Sequence, residues 1–128
     1  MGIQKNTEEV FKCNVCGNVI EVVHAATGTF YCCKQEMVLL KENTTEASAE
    51  KHIPVLIDEG THVKVKVGSI PHPMDIDHFI EWIEILNGNY VNRMYLKPGY
   101  RPEAGFYVHK QPGMIIRAYC NKHGLWKA

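Results

Sequence analysis

The sequence predicts a mainly β protein in two parts, a small metal-stapled module followed by an antiparallel β-sandwich. Three observations point there. Four of the five cysteines lie between Cys13 and Cys33, a polar stretch follows from Lys41 to Glu50, and the remainder alternates short apolar runs with turn signals.

The first zone, residues 1–40, is too small to fold on an apolar core alone and needs a metal or an equivalent staple. KENTTEASAE, Lys41 to Glu50, reads as a linker, and residues 51–128 as the sandwich. In that second part VLI at 55–57 and VKVKV at 63–67 read as strands, the latter alternating strictly. Asp58-Glu59-Gly60, Pro71 to Pro73, Asn87-Gly88-Asn89, Lys97-Pro98-Gly99 and Gln111-Pro112-Gly113 mark turns. They separate the runs YVNRMYL (90–96), AGFYVH (104–109) and MIIRAYC (114–120). Short strands at regular spacing predict an antiparallel sandwich. FIEWIEIL is ambiguous, because Phe79, Trp82, Ile83 and Leu86 fit helical spacing. Turns bound it on both sides and its neighbours are strands, so it reads as a buried strand.

Composition removes several function classes. Hydrophobic residues make up 45% and charged residues 22%, as in a folded soluble domain. Lys+Arg and Asp+Glu both number 14, so the basic excess of a nucleic-acid or polybasic membrane binder is missing. No apolar run approaches the ~18 residues that span a bilayer. MGIQKNTEEVFKC lacks the pattern of a secretory signal. The expectation is a cytoplasmic protein, in which cysteines serve metals or catalysis rather than disulfides.

Two constellations carry chemistry. In Cys13-Asn14-Val15-Cys16-Gly17 two thiolates three residues apart grip one tetrahedral ion, and the glycine allows amides to approach sulfur. The adjacent pair Cys32-Cys33 completes a four-thiolate site suited to zinc or a single iron. The second constellation is dispersed. His52 precedes Pro54, His72 sits between Pro71 and Pro73, His78 opens FIEWIEIL, and Cys120-Asn121-Lys122-His123-Gly124 forms a knuckle. A lone knuckle cannot close a site. Four imidazoles around one thiolate would give a five-coordinate metal with an open position, the mark of a catalytic centre.

The ordered set of E-K-H-x-P at 50–54, H-P-M at 72–74, H-F-I-x-W-I at 78–83 and C-N-x-H-G-x-W at 120–126 resembles the superoxide reductases, or desulfoferrodoxins. The C-x-x-C and C-C pairs in front resemble the desulforedoxin module of the two-iron class. That resemblance implies a desulforedoxin-like module followed by an immunoglobulin-like sandwich, with two irons per chain. One iron falls to Cys13, Cys16, Cys32 and Cys33; the other falls to His52, His72, His78 and His123, with Cys120 axial. It further implies one-electron reduction of superoxide to hydrogen peroxide in oxidative-stress defence, using rubredoxin or another small donor, in a homodimer. Lys51 would attract superoxide and organise proton delivery, and Glu50 would bind the oxidised iron. The four-cysteine centre would relay electrons or serve stability and dimerisation.

The amides of Asn121 and Lys122 are candidate donors to the Cys120 sulfur. His24, His62 and His109 receive no role. The rival readings are a zinc-stapled sandwich that binds a protein partner, an iron electron carrier without superoxide chemistry, and a superoxide dismutase.

Overall fold

The computed structural model describes residues 5–44 and 52–128, so Glu50 and Lys51 lie outside the described residues. The chain divides into two compact units, Met1–Lys41 and Glu42–Ala128.

The first unit is built from strands of two or three residues: β1 (Val10–Lys12), β2 (Val19–Glu21), β3 (Tyr31–Cys32), β4 (Gln35–Glu36) and β5 (Val38–Leu39). They form a sheet in the order β2-β1-β5 and a separate β3-β4 hairpin. Among the described residues its core is small: Phe11, Cys13, Val22 and Met37 cluster with Ala25, Phe30 and Cys32 packed against them, and Val10 is buried as well. Phe30 meets Phe11 edge-on at 5.0 Å, and the Lys5 ammonium lies over both rings. So small a core matches the expectation that a metal is needed to hold the module.

The second unit is a sandwich of seven antiparallel strands, immunoglobulin-like in its division into sheets of three and four. One sheet runs β10-β7-β6, from β6 (Pro54–Asp58), β7 (Val63–Val67) and β10 (Glu103–Phe106). The other runs β12-β11-β8-β9, from β8 (Ile80–Asn87), β9 (Tyr90–Tyr95), β11 (Ile115–Cys120) and β12 (Gly124–Lys127). The period-two pattern of β7 sends Val63, Val65 and Val67 inward, where they meet Ile83 and Ile85 of β8 and Ile116 and Ala118 of β11.

The ambiguous segment is the central strand β8. Its helix-like spacing has a structural cause, because β8 is buried on both faces. Ile83 and Ile85 face the other sheet, while Trp82 stacks on Tyr119 and the fully buried Glu84 pairs with Arg93 and Arg117. A bulge opposite Tyr119 and Cys120 then turns Ile80 inward too, breaking the alternation. Three details depart from the expected strands. β10 ends at Phe106 rather than running to His109, β12 was not anticipated, and the described start of the polar stretch is ordered. Asn43 bridges to Trp126, and Glu42 reaches Arg117 at 3.1 Å. Among the described residues no helix is long and apolar enough to cross a membrane.

Candidate metal centres

The four N-terminal sulfurs lie within 4.8 Å of one another, and all five cysteines of the chain are free thiols. The Cys13 carbonyl accepts from the Gly17 amide at 2.9 Å, and Gly17 has φ +85°, a conformation that favours glycine. The Cys16 amide thereby reaches the Cys13 sulfur at 3.5 Å. That donation pulls the Cys13 thiol down to about 6. Hydrogen bonding with Cys16 instead pushes Cys33 up to about 12.

The adjacent cysteines have a geometric explanation. Cys32 ends β3 and pairs with Gln35, while Cys33 and Lys34 form the two-residue hairpin loop with φ of 53° and 62°. Both loop residues are left-handed, as a type I′ turn requires. The sharp turn lets consecutive side chains converge on one point, and the Cys32 and Cys33 sulfurs are 3.9 Å apart.

The second centre gathers residues from loops that the strand register brings to one end of the sandwich. His52 precedes β6, whose Pro54 pairs with Val67 at the end of β7; His72 follows in the next loop. His78 precedes β8, whose Ile80 pairs with Cys120 at the end of β11; His123 lies in the turn to β12. One ligand-type atom from each of these five residues falls within 4.8 Å of all the others.

The imidazoles form a closed ring. Neighbouring centroids are 4.7 Å apart for His52–His72, 4.9 Å for His72–His78, 4.9 Å for His78–His123 and 4.8 Å for His123–His52. Each pair is close to perpendicular, with interplanar angles of 70° to 82°. His52 Nε2 faces His123 Nδ1 at 3.0 Å, and the Cys120 sulfur lies 3.8 Å from the same Nδ1. His52, His72 and Cys120 are buried, whereas His123 is exposed. The centre is thus closed on the core side and accessible past the knuckle.

Tautomer and protonation suit a metal. His72 Nδ1–H donates to the Pro73 carbonyl at 2.7 Å, which leaves Nε2 as the lone-pair nitrogen. Burial pushes His72 down to about 4, partly opposed by that hydrogen bond. Burial also lowers His78. The Nε2 atoms of His72 and His78 are buried and have no hydrogen-bond partner among the described residues. A buried polar atom without a partner is costly and calls for an explanation. A metal ion inside the imidazole ring removes both orphans, and imidazoles with one thiolate suit iron, zinc, copper or nickel.

Burial raises the Cys120 thiol, while amides of Lys122 and His123 pull it down. The His123 amide reaches the sulfur at 3.4 Å. The expectation for Asn121 needs correction, since its amide donates to the Phe79 carbonyl at 3.3 Å instead. The knuckle repeats the N-terminal one. Each has a glycine with φ +85° directly after its second metal-binding residue, and each turns the amide of that residue onto the first sulfur.

Family models described as desulfoferrodoxin, N-terminal domain, and desulfoferrodoxin match residues 5–40 and 44–128. The chain belongs to the desulfoferrodoxin family. It is 51% identical over 120 residues to a desulfoferrodoxin homolog of Archaeoglobus fulgidus, covering 94% of this chain and 95% of that one. A desulfoferrodoxin homolog of Methanothermobacter thermautotrophicus is 48% identical over 120 residues, covering 94% and 97%. The superoxide reductase of Treponema pallidum superposes with a TM-score of 0.73 at 25% identity, covering 98% of both chains. The two donor sets, four thiolates and four imidazoles with one thiolate, are those of the two-iron class of this family.

Three residues of the second centre acquire parts that their sequence positions did not assign. Trp126 stacks on His52, the Asn121 side chain holds the loop of His78, and the Lys122 charge adds to burial in lowering His78 and partly opposes it at Cys120. All three fall within the C-N-x-H-G-x-W run, which was the available signal. His24, His62 and His109 take no part in either cluster.

Proposed function

We propose that the protein is a superoxide reductase, passing one electron to superoxide and releasing hydrogen peroxide. The reaction centre would be an iron held by His52, His72, His78, His123 and Cys120. A second iron is held by Cys13, Cys16, Cys32 and Cys33. The observation that carries this reading is the closed ring of near-perpendicular imidazoles beside one buried thiol, with two buried nitrogens lacking partners among the described residues. The name borne by the Treponema pallidum protein supports it.

Iron bound there would supply the electron, with five protein donors leaving room for a small anion. The residues around it do the rest. The Pro73 carbonyl fixes the His72 tautomer, so that Nε2 faces the centre without a proton. Amide donation to the Cys120 sulfur tempers the electron density that this ligand offers. Burial of Cys120, His52 and His72 keeps water from the core side.

Net charge is zero, so capture of superoxide depends on local charge. Lys122 provides one cation near His78. Lys51, next to His52 in sequence, provides a second, and its ammonium organises the delivery of protons. Glu50 would be the hard carboxylate that binds oxidised iron and promotes product release. Electrons come from rubredoxin or a similar small carrier. The working form is a cytoplasmic homodimer in defence against oxidative stress.

Metal analysis with a visible spectrum tests the site. Expected are two irons per chain, thiolate-to-iron bands from both centres, and a shift of the second set on adding azide or cyanide. Zinc in both centres, or a second centre indifferent to both anions, contradicts the proposal.

A further inference from the structure

We infer that Asn121 is a positioning residue that fixes where His78 presents its imidazole to the ion. The inference rests on the ligand set proposed above. His78 belongs to no strand. Its amide donates to the Asp75 carbonyl at 3.1 Å and its carbonyl accepts from the Asp75 amide at 2.9 Å, so its backbone groups are consumed within its own tight turn. The turn must therefore be tied to the sheet by other groups.

Asn121 supplies that tie on both sides of His78. Its Oδ1 accepts from the Phe79 amide at 3.0 Å, and its Nδ2 donates to the Asp77 carbonyl at 3.0 Å. Its own amide donates to the Phe79 carbonyl at 3.3 Å. A carboxamide offers one acceptor and one donor group at a fixed separation, which matches an amide and a carbonyl two residues apart. Ionised aspartate has no donor for Asp77, and glutamine places the carboxamide one methylene farther away.

The position of Asn121 gives the bracket its consequence. It directly follows Cys120, so the thiol and the turn carrying His78 are joined through one residue in addition to the Ile80–Cys120 strand pairing. The Cys120 sulfur and the His78 imidazole then keep a fixed separation. Groups that orient metal ligands in this way typically change metal affinity by ~10–100-fold when removed.

Cobalt(II) binding to the full-length metal-free protein provides the test, because its spectrum and paramagnetically shifted histidine ring N–H signals report geometry without turnover. Wild type is expected to show, besides the thiolate-to-cobalt bands of the four-cysteine centre, shifted N–H signals from the four ligand histidines. Asn121→Ala should bind cobalt at the histidine centre ~10-fold or more weakly, with the His78 signal displaced and those of His52 and His72 retained. Asn121→Asp, which keeps the acceptor for Phe79, should fall between the two and serves if the alanine variant does not fold. Wild-type affinity with an unmoved His78 signal in both variants overturns the inference. So does an equal displacement of all four signals, which marks general loosening. Failure of wild type itself to give shifted ring signals from the four histidines overturns the ligand set, and the inference with it.

Discussion

Trp126 lies face to face on His52, with ring centroids 4.6 Å apart and planes 17° from parallel. The same indole donates its Nε1–H to the His123 carbonyl at 3.1 Å. One fully buried side chain therefore contacts one imidazole and the backbone of its neighbour in the ring. Trp126→Phe keeps a stacking surface and loses the hydrogen bond, so a loss of about 1 kcal/mol is expected. Trp126→Ala removes both and should cost ~3–5 kcal/mol. Urea unfolding of the metal-free variants measures the difference; equal losses would assign the whole effect to the hydrogen bond.

Metal loading should release a proton traceable to Cys120. Burial raises this thiol, so at neutral pH it is protonated in the metal-free protein and must ionise to bind. His72 and His78 are shifted down and are already neutral. Loading in weak buffer with a pH indicator should show wild type releasing about one proton more than Cys120→Ser. Equal release would mean that Cys120 does not bind as thiolate.

Stability of the metal-free protein should depend on His72 in acid. Its folded value is about 4 against an ordinary 6.5, so the unfolded chain takes up the proton first. The contribution is fully present above about 6.5 and is lost as pH falls toward about 4. Urea midpoints measured across that window should fall more steeply for wild type than for His72→Gln. Parallel profiles would remove His72 as the cause.

Lys34 carries a local cost in the first unit. Its φ of 62° is left-handed, a conformation that disfavours a side chain by roughly 1 kcal/mol. Lys34→Gly should stabilise the metal-loaded first unit by about 0.5–1 kcal/mol and leave its four-thiolate spectrum unchanged. Destabilisation would show that the lysine side chain contributes more than its backbone costs.

Much of this was legible in sequence, for identifiable reasons. Turn chemistry and the alternation in Val63–Val67 gave the sandwich, since both are local. β8 was harder, because burial on both faces and a bulge at Ile80 imitate helical spacing. β12 escaped notice because GLWK is short and follows the knuckle directly. The residues of both donor clusters could be named from spacing and family motifs. Their ring-like arrangement could not, because it depends on strand register between residues as far apart as His52 and His123. Nor could the tie from Asn121 to the turn of His78, a contact across 42 positions. Only its amide was considered in sequence, and that amide points elsewhere.

The most direct test of superoxide reduction is a count of products. Iron-loaded protein, kept reduced by a donor, is mixed with a known pulse of superoxide while peroxide, oxygen and donor oxidation are followed together. Expected is one peroxide formed and one donor electron consumed for each superoxide, with two protons taken up and no enzyme-dependent oxygen. Oxygen evolved alongside peroxide without donor consumption would instead make the protein a dismutase, and superoxide decaying only at its spontaneous rate would leave it no role in superoxide chemistry.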